Sequence, residues 1–206
     1  MPKNKGFVCI AIGTVLLLSA LSLFLYNRYE DKKAAQEAES LLAEMQSILN
    51  EPTSAPSDNP SESLLTTEPT APTDATLKEV KIDGYNYIGY LTIPSLDLEL
   101  PVMSEWDYTR LKIAPCRQFG SSKSDNLVIA AHNYSSHFGY LKYLEEGDEI
   151  YFKDMEGNSN SYAVQVIATM APEQVTEVQN SGYDLVLYTC TPGGATRVTV
   201  FCNRTN

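Results

Sequence analysis

The C-terminal part of this 206-residue chain predicts a mainly β fold, a closed barrel or a two-sheet sandwich. Three observations carry that expectation. Short runs rich in Val, Ile, Tyr and Thr recur along residues 78–206, Gly, Pro, Asn and Asp separate them, and helical periodicity is scant. The runs are Ile88 to Ile93, Leu96 to Val102, Asn126 to Ala131, Glu149 to Lys153, Ser161 to Met170, Leu185 to Thr189 and Arg197 to Cys202. Only Tyr108 to Lys112, Phe138 to Leu144 and Pro172 to Gln179 have room for a turn or two of helix. Seven or eight short strands with so little helix favour a barrel or sandwich over a layered α/β arrangement.

The N-terminal part is of another kind. Phe7 to Tyr26 is a 20-residue run without a charge. As a helix at about 1.5 Å per residue it is roughly 30 Å long, the hydrocarbon thickness of a bilayer. Lys3 and Lys5 ahead of it favour a cytoplasmic N-terminus, although Arg28, Lys32 and Lys33 on the far side weaken the asymmetry. Segment 1–28 is therefore expected to be a short cytoplasmic tip and a single-pass membrane anchor. A cleaved signal peptide ending near Leu18-Ser19-Ala20 is the alternative, but the run exceeds the usual 7–15 apolar residues of such peptides. Either way the remainder is exported.

Residues 29–50 predict a charged helical stalk whose apolar positions, Ala34, Ala38, Leu41, Met45 and Ile48, follow a 4-3-4-3 spacing. That seam suits either a short coiled coil between two anchored chains or an amphipathic continuation of the anchor. Residues 51–77 carry five prolines, many Ser and Thr, five acids and no base. Such a composition cannot build a core and predicts an extended linker.

The whole chain has 26 acids against 15 bases, a net charge of −11, which argues against a nucleic-acid partner. Residues 78–206 retain 16 acids and 10 bases. Four cysteines are too few for a disulfide framework.

The chemistry-bearing residues stand at predicted strand ends. Cys190 closes the run Leu185-Val186-Leu187-Tyr188-Thr189, and Thr191-Pro192-Gly193-Gly194 then reverses the chain into a strand that opens at Arg197. Cys190 and Arg197 should thus face one another across the mouth of a hairpin. A guanidinium there favours the nucleophilic thiolate and can hydrogen-bond an oxyanion. His132 ends another apolar run, beside Asn133. A Cys and a His on one rim supply a nucleophile and a general acid/base. Taken singly, a strand-end Cys is more often a small buried hydrophobe.

The stretch Leu187-Tyr188-Thr189-Cys190-Thr191-Pro192, followed by Arg197-Val198-Thr199-Val200, resembles the signature of sortases, membrane-anchored cysteine transpeptidases mainly of Gram-positive bacteria. Leu127-Val128-Ile129-Ala130-Ala131-His132-Asn133 looks like the family's histidine segment, with Ala131-His132 where Gly-His is frequent. Tyr90 to Pro94, Leu100-Pro101-Val102 and Gly147-Asp148-Glu149-Ile150 are similar to its opening strands and mid-domain turn. The resemblance implies an eight-stranded sortase-type β-barrel with a few short helices as a catalytic domain over 78–206, outside the cell. It implies that Cys190 forms a thioester at a C-terminal sorting signal of a secreted protein, that His132 moves the protons, that Arg197 holds the substrate carbonyl, and that Thr189 lines the groove. It implies an amine acceptor, a peptidoglycan precursor by default. No Asp-Pro lid motif precedes the barrel, which leaves a pilin-polymerising member as an alternative to the default of anchoring proteins to peptidoglycan. His132-Asn133 with Phe138-Gly139-Tyr140-Leu141 is similar to class B sortases.

A non-catalytic exported barrel that holds peptides in the same groove is the rival reading, and a thiol hydrolase a third. No cofactor is expected. His137 lacks partners at zinc-ligand spacing, and Glu145, Glu146, Asp148 and Glu149 lack the regularly spaced oxygens of a Ca²⁺ loop. Cys116 and Cys202 are the pair available for a disulfide in an oxidising exterior.

Overall fold

A computed structural model describes residues 3–50 and 76–206, so nearly all of the expected linker at 51–77 lies outside the described residues. One helix, α1 (Lys3–Asn50), runs without interruption from the uncharged segment through the expected stalk. Its apolar half is exposed on every side and has a mean hydropathy of 2.6, as a candidate membrane span should.

The domain is built from nine strands: β1 (Val80–Ile82), β2 (Tyr85–Ile93), β3 (Leu98–Met103), β4 (Cys116–Phe119), β5 (Leu127–Ala130), β6 (Glu149–Asp154), β7 (Ser159–Met170), β8 (Leu185–Cys190) and β9 (Arg197–Arg204). They follow the order β1-β2-β3-β4-β5-β8-β9-β7-β6, and an added β2–β6 pairing closes every strand but β1 into a ring. The result is an eight-stranded barrel, as the sequence led one to expect, with β1 as a hairpin strand beside it. Closure brings β2 and β6 very near one another. Gly89, at φ 152, has no Cβ to run into the Lys153 carbonyl there.

The expected start of β3 at Leu96 is corrected. Pro94–Leu96 forms a 3-10 turn and Asp97 adopts a left-handed φ of 52, so the strand begins at Leu98. The helical signals shrink to 3-10 turns at Arg110–Lys112 and Leu141–Tyr143 and one short helix, α2 (Val175–Gln179).

Side-chain parity sorts the core into three clusters. Leu127, Ile129, Leu185 and Leu187 fill the barrel with residues such as Ile88, Leu91, Phe152 and Val200. Their strand neighbours Val128, Val186 and Phe201 point outward and are covered by Val178 of α2. β5 and β8 are parallel and covered on both faces, which is why they read as unbroken apolar runs.

The third cluster lies under α1. Ala34, Ala38, Leu41 and Met45 are buried, and Leu41 and Met45 pack with Ile82, Tyr87, Met103, Cys116 and Met155. Gln46 also donates from Nε2 to Glu99 Oε1 at 3.0 Å. The seam thus meets the chain's own barrel. Cys116 sits in this cluster and Cys202 in the barrel interior; both are free thiols, so the disulfide considered for them is not formed.

Candidate active site

β8 ends at Cys190 and β9 begins at Arg197, and these two residues are directly registered partners of the antiparallel pair. Residues facing one another across a ladder project to the same side. The intervening loop is shaped by Gly193 and Gly194, both at positive φ, and by Gly194 N–H donating to the Thr191 carbonyl at 2.8 Å. Arg197 Nη1 donates to the Gly194 and Thr196 carbonyls at 3.1 and 3.0 Å, which holds the guanidinium at the mouth of the hairpin. Cys190 is a partly exposed free thiol.

β5 lies on the other side of β8, in parallel register, with Ala130 opposite Tyr188. His132 follows two residues past that last pair, beyond the end of β5. Ala131 N–H donates to the Tyr188 carbonyl at 3.2 Å, so the strands stay together to that point. The structure therefore pairs Cys190 with Arg197 on the cleft wall, and His132 lies just past the end of β5, the strand beside β8, outside the residues that line that cleft.

Thr189 stands on the other face of β8. Its neighbour Cys190 faces outward, so Thr189 must face the barrel interior. It is buried and donates its hydroxyl to the Ala131 carbonyl at 2.9 Å. It ties the end of the cysteine strand to the end of the histidine strand.

The outer face beside Cys190 is a cleft of about 200 Å³. Trp106, Tyr108, Met170, Pro172, Val175 and Tyr188 contribute apolar wall, and among the described residues Arg197 is the only charged one lining it. Burial pushes the Tyr188 phenol up to about 12, so this hydroxyl stays protonated. The Trp106 and Tyr108 rings meet at a centroid distance of 5.2 Å. Only their aromatic character pointed to them, as it did to the tyrosines in general, because the segment joining β3 to β4 has no periodicity to read.

His132 packs against an aromatic neighbour. Its ring stacks on Tyr134 at a centroid distance of 4.1 Å and an interplanar angle of 14°, while its buried Nδ1 has no hydrogen-bond partner. Burial lowers its pKa from the ordinary 6.5, an effect larger than the opposing contribution of Asn133. The imidazole is accordingly neutral at pH 7. His137, on the same loop, is fully buried with both ring nitrogens unpartnered and is pushed down to about 4, mainly by burial.

A closed barrel that presents a thiol and a guanidinium at one hairpin mouth, with an imidazole just past the end of the adjoining strand, defines a class of thiol-bearing β-barrels. The sortase domain family model matches residues 91–205, more than half of the chain, and the chain belongs to the sortase family. It is 31% identical over 122 residues to Sortase A of Bacillus anthracis, a match covering 56% of this chain and 58% of that protein. The fold is similar to Sortase A from Corynebacterium diphtheriae (TM-score 0.54, 24% identity, 59% of this chain and 62% of that one). It is also similar to sortase C1 from Streptococcus agalactiae (TM-score 0.53, 26% identity, 61% and 71%). The matched region spans less than two thirds of the length of both sortase A relatives.

Proposed function

We propose that this chain is a cysteine transpeptidase that cuts a C-terminal sorting signal of secreted proteins and joins the new carboxyl end to an amine of the cell wall, a peptidoglycan precursor or an equivalent acceptor. The observation that carries this reading is the register pairing of Cys190 with Arg197 at the end of an apolar cleft; His132 follows two residues past Ala130, the last residue of β5 paired with β8.

An extended peptide lies with apolar side chains against Met170, Val175 and the Trp106 ring. Neutral His132 takes the Cys190 proton as sulfur attacks the scissile carbonyl, and Arg197 donates to the resulting oxyanion. The C–N bond breaks, the proton leaves His132 with the departing amine, and the acyl group stays on sulfur as a thioester. The acceptor amine then gives a proton to His132 and displaces the thiolate, which recovers its proton. In this reading α1 is a single-pass anchor, the N-terminus is cytoplasmic, and 78–206 is the extracellular catalytic domain.

The test incubates the full chain in lipid nanodiscs with an internally quenched peptide library and mixed amine acceptors, and reads products by mass. Ligated peptide from the wild-type chain and none from Cys190→Ala is expected. A thiol reagent that labels Cys190 no faster than buried Cys116 and Cys202, with no product formed, would favour the non-catalytic peptide-binding barrel. Release to water alone would make the protein a hydrolase.

A further inference from the structure

We infer that Asp31, on the anchor helix, is a positioning residue for His132, so that the helix completes the reactive site; this rests on the transpeptidase reading above. Asp31 lies just past the uncharged run, where α1 leaves the proposed membrane. Its carboxylate accepts from the Ser135 hydroxyl, from the Ser136 amide at 3.0 Å and from the Ser136 hydroxyl at 2.8 Å. The Ser136 hydroxyl also lies 3.1 Å from the Asp31 backbone carbonyl. Partial burial works to raise the pKa of this carboxyl, but the bonds from Ser135 and Ser136, with a smaller contribution from His137, outweigh it, and the net change is downward.

Ser135 and Ser136 belong to the loop that joins His132 to Phe138. That loop is closed on itself by Phe138 N–H to the His132 carbonyl (3.2 Å) and Gly139 N–H to the Tyr134 carbonyl (2.8 Å). Asp31 ties it to a separate element. Tyr134 stands between the two ends of the arrangement: it precedes the gripped serines and its ring carries the His132 ring. In hydrolytic triads a carboxylate bonds the imidazole itself and sets its orientation. Here Nδ1 of His132 has no such bond, and the carboxylate acts at one remove, by fixing the loop that holds Tyr134 under the ring.

The buried seam at Ala34, Ala38, Leu41 and Met45 docks α1 independently of this contact. Removing the carboxylate should therefore release the loop while the helix stays in place. In the full chain in nanodiscs, turning over the best peptide of the library with hydroxylamine as acceptor, Asp31→Ala should lower kcat about tenfold or more, since small misplacements of a reacting group carry costs of that order. KM should stay put, because the cleft is untouched. Asp31→Asn keeps an acceptor oxygen and should remain within about threefold of wild type. Amide exchange over 132–139 should quicken in Asp31→Ala and much less in Asp31→Asn.

Wild-type kcat in Asp31→Ala would overturn the inference. So would equal losses in both variants accompanied by a changed KM and lower melting temperature, which would mark Asp31 as a general structural residue. If the wild-type chain makes no product, the transpeptidase reading fails, and unchanged exchange over 132–139 in Asp31→Ala would then sink the positioning role separately.

Discussion

Met45→Ala asks whether α1 is a component of the folded domain or a tether beside it. Met45 is 0% exposed and packs among Ile82, Tyr87, Met103, Ala114, Cys116 and Met155. Full burial of a Met side chain contributes about 1.5–3 kcal/mol, and truncation to Ala with its cavity costs about 2–5 kcal/mol. Ala34 and Ala38 bury little area, so Leu41 and Met45 supply most of the docking energy. The helix remains covalently joined to the barrel, so release is intramolecular. A loss of 2 kcal/mol shifts the docked-to-released ratio about thirtyfold, at 1.4 kcal/mol per factor of ten.

Hydrogen exchange on the full chain in nanodiscs reads this directly. Peptides covering 80–87 and 114–117 lie beneath the helix and should exchange up to about thirtyfold faster in Met45→Ala, while those from β8 and β9 should not change. Equal exchange beneath the helix in both proteins would refute the docking. Uniform acceleration over the barrel would make Met45 a global core residue instead. A change of oligomeric state with no change beneath the helix would assign the seam to a second chain.

Three further outcomes follow from the site. Arg197→Lys should cut kcat about 10²–10³-fold, the usual cost of an oxyanion donor, because one ammonium cannot both hold the Gly194 and Thr196 carbonyls and reach the cleft; wild-type turnover would remove Arg197 from the site. Thr189→Val should cost about 1 kcal/mol of stability through the bond lost to the Ala131 carbonyl, with KM unchanged and Thr189→Ser near wild type, whereas a raised KM would put Thr189 back on the groove wall. Stability should fall as pH drops from 6.5 towards 4. Burial holds His137 near 4 in the folded chain against an ordinary 6.5, so the unfolded chain takes the proton first, and the gap is worth on the order of 3 kcal/mol. His132, also lowered by burial, acts in the same direction, and a urea midpoint that stays level between pH 7 and 4.5 would contradict this.

The strands that were legible are those long enough to show a pattern. β1 is three residues, and β4 reads Cys-Arg-Gln-Phe, with Arg117 spent on the Ser104 carbonyl and an ion pair to Glu79. Neither carries a β signal by itself; both are strands because neighbours pair with them. The facing of Cys190 and Arg197 was legible because a short loop between two strand ends leaves few other geometries. The same alternation, applied one residue earlier, places Thr189 on the opposite face, so its burial was available from sequence and the resemblance obscured it. Tyr134 offered only its nearness to His132. Asp31 offered nothing, since it meets Ser135 across 104 residues of sequence.

The seam on α1 shows what an amphipathic pattern does and does not specify. A 4-3-4-3 stripe says that something apolar covers the helix; the identity of the cover lies in side-chain size. Two alanines followed by Leu and Met bury little in a paired coil, where each layer needs large residues, but they let one end of a helix approach a surface closely while the other fills a gap. Asp31 and Met45 are 14 residues apart on one unbroken helix, about 21 Å. The grip on Ser135 and Ser136 therefore depends on docking at Met45, although docking does not depend on the grip. If Met45→Ala releases the helix, the grip is released with it, and adding Asp31→Ala should then lower turnover little further. Losses that simply multiply in the double variant would show that the two contacts act separately, and the helix would be a flexible link rather than a rigid one.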